Sequence, residues 1–435
     1  MIARRASIDC GASRRKPILC PSLSLGRIAR LPARIQPLAI TAFTATCAAG
    51  RGTQTLARAL TTRKSGLVQN SFTRQALACW IGRVAGIEES ALPAELGEWD
   101  SRNHRLAWLG LNQDRFLEHA LALRDRHGAA RVALVLGTST SSIGETERAY
   151  RELDAEGHFS AAQRRSKVHQ PHALGAFVQT ALGLRGPCLT LATACSSSAK
   201  VFASAERLLR AGIVDAAIVG GVDTLCDSVL FGFNALQLVS PEPCRPFDAQ
   251  RSGLSLGEAA GFAILERTDS EKSSPQLIGY GESSDAHHMS APHPQGLGAQ
   301  RALDDALVRA GITADQVDYI NLHGTASRQN DEVEAALIAA RFPARTRASS
   351  TKGWTGHTLG AAGIVEAVIT LLALERGLVP GTLNARELDA ACGPQIVLDN
   401  IAVDDAERDL RIALSNSFGF GGNNCCLAFA RGATA

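Results

Sequence analysis

The sequence predicts an α/β protein assembled from two like halves, on three observations. Short apolar runs suited to strands alternate with longer segments of helical periodicity. The same order of elements returns after a polar, Ser-rich stretch, residues 269–275, that ends on Pro275. The third strand-to-helix junction of each half carries an unusual cluster of chemically capable side chains. Strands alternating with helices imply mainly parallel sheets covered by helices, with active sites at strand carboxyl ends.

Taken in order, Ile35 to Thr44 reads as a strand, Thr53 to Thr62 as a helix and Arg131 to Gly137 as an apolar strand entering a Ser/Thr/Gly loop. Pro171 to Leu182 reads as a helix, Cys188 to Ala194 as a buried strand, Ser196 to Ala211 as a helix, and Asp215 to Val222 and Gly261 to Glu266 as two further strands. The first half is therefore βαβαβαββ. The second repeats it: strand Gln276 to Gly281, helix Gln300 to Ala310, strand Val317 to His323, helix Asp331 to Arg341, strand Arg347 to Thr351 and helix Thr358 to Arg376. Strands near Gln395 to Leu398 and Arg411 to Ser415 close it, with Asn424 to Ala430 extending the last across a Gly-rich interruption. No period of roughly 20 to 50 residues is present, so the repetition is of half-domains and not of a solenoid. The expected division is a basic leader at 1–33, a first half at 34–268, a connector at 269–275 and a second half at 276–432.

Composition narrows the function classes. Of 435 residues, 45% are hydrophobic and 20% charged, which excludes wholesale disorder and disulfide-dense mini-proteins. The longest apolar stretches fall short of the roughly 18 residues of a membrane-spanning helix, so no membrane span is expected. Residues 1–34 carry eight Arg or Lys against Asp9 alone, a local +7 that leaves −4 on the remainder of a chain of net charge +3. The globular part gives no reason to expect nucleic acid. The leader superficially suits a transit peptide, but a disordered tail or an over-extended start is the preferred reading. Eleven cysteines, without a CxxC pair, signal neither a metal site nor a disulfide framework, and point to the reducing cytoplasm.

Four side chains carry the candidate chemistry. Cys195 leaves a strand and stands at the first turn of a helix, where free backbone N–H groups should depress its thiol pKa and make it an acyl acceptor. By position alone such a cysteine is more often inert core. His323 follows an apolar strand and opens His-Gly-Thr. His357 precedes a small-residue helix whose N-terminus should keep the imidazole neutral, free to donate to a developing oxyanion. Lys352 is either a charge on substrate or an ion-pair anchor. The glycine-rich run Asn416–Asn424 is followed by a strand and not a helix, so it fails as a nucleotide loop. Its backbone N–H groups, at Phe420 and Gly421, suit an oxyanion hole that Phe418 or Phe420 covers.

With TACSSS around Cys195, RPFDAQRSG at Arg245–Gly253, HGT at His323, TKGWTGHTLGAAG ending at Gly363 and NSFGFGGNN at Asn416, the chain resembles the β-ketoacyl-acyl-carrier-protein synthases of the thiolase superfamily, I/II group. The resemblance spans roughly residues 34–432. It implies a five-layered αβαβα sandwich and a decarboxylating condensation with no cofactor beyond the phosphopantetheine of an acyl carrier protein. Cys195 would hold the acyl chain and His323 and His357 the enolate. The N–H groups of Cys195 and Phe420 would form the oxyanion hole, with Phe420 gating entry. Asp331 and Glu366 would support Lys352 and the histidines, and Thr325 and Ser327 would contact the pantetheine arm. Arg164, Arg165 and Lys167 are candidates for docking the acidic carrier, against the plain alternative of a solvated loop.

Arg328 near the pantetheine tunnel, Asn423 where Thr is usual, and Ser255–Ala260 in place of a more glycine-rich run depart from the family pattern. They lean the reading toward a specialised synthase resembling those of aryl polyenes or type II polyketides, as a homodimer or paired with a chain-length-factor-like paralogue. The alternatives are a non-catalytic chain-length partner, a non-decarboxylating thiolase with Cys425 as a second cysteine, an initiating type III synthase and a cysteine hydrolase.

Overall fold

A computed structural model describes residues 34–267, 274–403 and 409–432. The leader, 1–33, and all but the last two residues of the connector lie outside them. In the first half, five strands in chain order, Leu38–Cys47, Val132–Gly137, Cys188–Leu191, Ala216–Asp223 and Ala259–Arg267, line up in space as 3-2-4-5-1. Gln276–Ser284, Tyr319–Asn321, Arg347–Ser349, Ile412–Gly419 and Asn423–Ala430 line up in the same 3-2-4-5-1 order. Strand pairings agree too, parallel for 3-2 and 2-4 and antiparallel for 4-5 and 5-1. Even an irregularity recurs: the first strand of each set breaks register once against the fifth, at Ile40/Ala42 and at Leu277/Gly279. The two sets join where Leu38 faces Leu277 and Ala39 faces Gln276.

Helices cover both faces of each set, which is why strands such as Val132–Gly137 are apolar throughout instead of alternating. Between the sets lie Ser197–Arg210 and Ala362–Arg376, whose Val201, Phe202, Ile364 and Val368 share one core. Arg102–Leu111, Phe116–His127 and Ala173–Leu182 pack on the outer face of the first set, and Leu297–Ala310 with Arg328–Arg341 on that of the second. The layers therefore read αβαβα. The two central helices touch through Gly363, where a Cβ would lie 2.5 Å from the Ala199 nitrogen. That approach brings the start of each helix, and so the side chains just before it, to one place.

The structure corrects four expectations. The strand expected over Cys188–Ala194 stops at Leu191, and it is not buried: it ends the sheet, with Leu189 41% exposed. Near Gln395–Leu398 there is one bridge, Ala348 to Ile396, and no strand. Between Thr53–Thr61 and the second strand the chain adds Arg102–Leu111 and Phe116–His127, in a stretch to which the sequence reading gave no element. The expected helix Thr358–Arg376 opens as a 3-10 turn, Leu359–Ala361, and a separate helical turn, Lys352–Thr355, precedes it.

Candidate active site

Cys195 follows Ala194, which sits at φ +52°, in the left-handed region that an alanine adopts only when its surroundings hold it there. Ser197 holds it: its hydroxyl donates to the Ala194 carbonyl (2.6 Å) and accepts from the Thr193 N–H (2.9 Å). This knot turns the chain from strand into helix within a few residues and leaves the Cys195 thiol facing the second half.

There it meets His357, whose Nε2 lies 3.0 Å from Sγ. His357 is fixed by its backbone, its N–H donating to the Ser255 carbonyl (2.7 Å) and its carbonyl accepting from Gly257 (2.9 Å). The run Ser255–Gly257, noted as a departure from the family pattern, is thus what positions the histidine. The His323 ring stands edge-on to His357, centroids 5.4 Å apart. Beneath both, Lys352 donates to the His323 carbonyl and pairs with Glu366, all of them buried.

Burial dictates the protonation states. It drives both imidazoles well below their usual 6.5, Lys352 adds to the effect, and for His323 the His357 ring adds more. His357 is neutral as expected, but through desolvation and a neighbouring cation rather than a helix terminus; four residues separate it from the α-helix. The expectation for Cys195 is overturned. Burial pushes its thiol up to about 11, with Lys352 and the Phe420 N–H pulling against it, so the resting side chain is a thiol hydrogen-bonded to a neutral imidazole. Burial likewise lifts Glu366 to about 7, opposed by Lys352.

The supporting carboxylates divide differently from expectation. Asp331 touches neither Lys352 nor a histidine: it accepts from the N–H groups of Phe247 (2.8 Å) and Ala326 (3.2 Å) and faces Arg251. Glu334, which sequence reasoning missed, takes the expected role, accepting from the N–H groups of His323 (2.9 Å) and Gly324 (2.8 Å) and from Asn416 Nδ2 (3.1 Å). Its signal was available, since Glu334 lies three residues beyond Asp331 on the same helical face, beside Ala335 in the core.

Cys195, His323 and His357 open into a cavity of about 640 Å³ that Thr325, Ser327, Phe418 and Phe420 also line. The Thr325 and Ser327 hydroxyls are 2.9 Å apart. Phe418 packs 6.0 Å from the His323 ring, and Phe420 stacks on Phe233 at 5.4 Å, a partner the sequence did not disclose. Phe420 N–H faces the thiol, whereas Gly421 N–H donates to the Met289 carbonyl (2.7 Å) and is not free for an oxyanion. Gly421, at φ +75°, provides the turn instead. Asn424 lines the cavity while its strand neighbour Cys425 packs on the opposite face, into the core, where a second catalytic cysteine is of no use.

The basic trio does not serve the cavity. Arg164 bonds the Phe159 carbonyl (3.0 Å), Arg165 the Asp100 carbonyl with Glu145 at 3.9 Å, and Lys167 pairs with Glu98 over the Trp99 ring; none lines the cavity. A donor atom from each of Cys195, His323 and His357 lies within 4.8 Å of the others, a spacing a metal ion could bridge, but the buried Lys352 ammonium opposes a cation there.

The model for the β-ketoacyl synthase N-terminal domain matches residues 98–271 and that for the C-terminal domain residues 276–386. Nodulation protein E of Rhizobium meliloti (strain 1021) is 36% identical over 310 residues, 69% of this chain and 76% of that protein. The 3-oxoacyl-[acyl-carrier-protein] synthase 2 of the same strain is 40% identical over 264 residues, 57% of this chain and 62% of that protein. Among solved structures, a ketosynthase (ApeO) in complex with its chain length factor (ApeC) from Xenorhabdus doucetiae superposes with a TM-score of 0.81 at 36% identity, covering 91% of this chain and 98% of that one. With the nucleophile candidate inside the first matched domain and both histidines inside the second, the chain belongs to the β-ketoacyl synthase family.

Proposed function

We propose that Cys195 carries the growing acyl chain, and that His323 and His357 serve the malonyl unit that extends it, in the Claisen condensation of fatty-acid or polyketide elongation that this family performs. The observation that carries the assignment is the 3.0 Å contact between His357 Nε2 and Cys195 Sγ, with the second imidazole edge-on beside it at the floor of one cavity.

In the first half-reaction the thiol attacks the thioester of an acyl-carrier protein. His357 takes the proton as the C–S bond forms and returns it to the departing pantetheine sulfur. The Cys195 and Phe420 N–H groups hold the carbonyl oxygen as it becomes negative. Malonyl-carrier then enters. As its carboxylate leaves as carbon dioxide, the enolate oxygen takes hydrogen bonds from the neutral histidines. The enolate carbon attacks the acyl carbonyl, the C–S bond breaks, and the Cys195 thiolate takes a proton from water as β-ketoacyl-carrier leaves. Lys352 holds the surrounding potential positive, and Glu366 keeps that charge from standing alone. The stacked Phe420 and Phe233 rings close the site against water, which would hydrolyse the acyl-enzyme.

The open edge at Cys188–Leu191 fits a heteromeric assembly. The similar ketosynthase from Xenorhabdus doucetiae is held in a complex with a chain length factor, and we assign this chain an analogous partner subunit, in the cytoplasm. The test supplies purified protein, with and without a candidate partner, with acyl-carrier and malonyl-carrier, and follows carbon dioxide and intact mass. Acylation that Cys195→Ala abolishes, with a product two carbons longer, is expected. No acylation by any thioester, partner present, would move the chain to a non-catalytic role.

A further inference from the structure

We propose that Arg328 is the anchor for the phosphate of the phosphopantetheine arm, a specificity-determining contact at the cavity rim; the inference rests on the synthase reading above. Arg328 is exposed, yet lines the same cavity as Cys195, His323 and His357. Among the described residues its guanidinium makes no ion pair and no hydrogen bond, and the reason is visible.

Its natural intrahelical partner, Glu332 at i+4, points instead to Arg251 Nη2 (3.3 Å), and the nearby Asp389 is held by Arg251 Nη1 (2.6 Å). Arg251, almost wholly buried, thus takes the direct pairing of both carboxylates, and Asp389 acts on Arg328 only across space, which leaves the Arg328 guanidinium without a direct partner among the described residues. Arg328 also opens the 14-residue helix Arg328–Arg341, whose cap residue Ser327 makes no side-chain capping bond. The positive end of that helix and the guanidinium reinforce each other.

The paired Thr325 and Ser327 hydroxyls, which precede Arg328 in the chain, line the same cavity as Arg328 and the thiol and are hydrogen-bonding groups of the kind a pantetheine amide chain needs. A ligand that runs past them toward Cys195, with an amide-bearing body and a phosphate ester at its outer end, fits the whole sequence of contacts. A carrier's phosphodiester and the pyrophosphate of coenzyme A share that chemistry. The carrier arm is the assignment, because one guanidinium matches one phosphate.

The test needs no turnover. Binding of pantetheine, pantetheine 4′-phosphate and coenzyme A to the full chain is measured calorimetrically for wild type, Arg328→Ala and Arg328→Lys. Wild type is expected to prefer the phosphorylated arm over pantetheine by about ten-fold, Arg328→Ala to lose that preference, and Arg328→Lys to keep part of it. With holo-carrier as competitor, the same order is expected. A preference that survives in Arg328→Ala, or its absence in wild type, overturns the proposal, and a gain confined to coenzyme A overturns the carrier assignment. Failure of Cys195 to be acylated would sink the synthase reading separately, without changing these ratios.

Discussion

The two halves share a topology down to a register break, yet their third strand-to-helix junctions do different things. In the first half the chain passes from Leu191 to the helix at Ser197 with a single left-handed residue, Ala194, and offers one side chain, Cys195. In the second, Ser349 leads into a separate helical turn, Lys352–Thr355, a Gly356 at φ +69° and a 3-10 turn before its helix begins at Ala362. That longer path is anchored by Trp354, buried and donating to the Ala59 carbonyl (3.1 Å). It allows two functional residues: Lys352 at the floor and His357 level with the thiol. The frame is shared, and the longer connection of the second half sets the thiol on one side and the imidazole and buried lysine on the other.

The contrast can be pressed at the floor of the second junction first. Lys352→Met leaves Glu366 buried without its cation, and stability should fall by about 3 to 5 kcal/mol, read from denaturant midpoints. Adding Glu366→Gln should recover most of that loss but not condensation, which would separate a structural ion pair from a catalytic field. The sign of the pH dependence follows. Removing Lys352 takes away what lowers Glu366, so its folded pKa rises further above the usual carboxylate value. A raised carboxyl favours the fold while protonated and weighs against it once ionised. The deficit of Lys352→Met should therefore stay level up to about pH 7 and widen above it, where Glu366 of the wild type ionises and that of the variant does not, and a deficit that stays level to about pH 9 would argue against a buried carboxylate as its source.

At the first junction the expected effects are smaller. With burial holding the Cys195 thiol near 11, its alkylation by iodoacetamide should keep accelerating above pH 9 in the range about 9 to 11, where a thiol activated by a helix terminus would already have reached a plateau. His357→Ala should slow alkylation at neutral pH several-fold by removing the proton acceptor 3.0 Å away. Smallest of all, Ala194→Gly relieves the left-handed backbone at some cost in unfolded-state entropy, for a net change within about 1 kcal/mol. A loss much larger than that would show that the alanine methyl packs against something the turn requires.

Much of the frame was legible because apolar period and turn residues report burial directly. The ten strands of the two matching sets lie where, or within a few residues of where, the short apolar runs at Val132–Gly137, Tyr319–Asn321 and their counterparts place them. What pattern cannot distinguish is which apolar strand lies inside a sheet and which ends it, so the pattern over Cys188–Ala194 reads as buried although the strand ends the sheet. The four central side chains were legible from motif and junction. Their electrostatics were not, since a desolvation penalty depends on what closes over a group: Cys195 stands at a helix start, but burial outweighs that start. Asp331 and Glu334 differ by one helical turn, and only packing decides which carboxylate reaches the His323 backbone. Phe233 was invisible for the same reason, arriving from a helix far along the chain to meet Phe420.

The strand that ends the sheet has a consequence for how much of this protein a cell can tolerate. Its outer row of peptide groups is unpaired, it carries the half-exposed Leu189, and it runs within four residues of Cys195. A chain in which that border stays uncovered would display an adhesive edge close to Cys195, free to pair with any other extended segment. Covering that border is then a condition for solubility as well as for assembly.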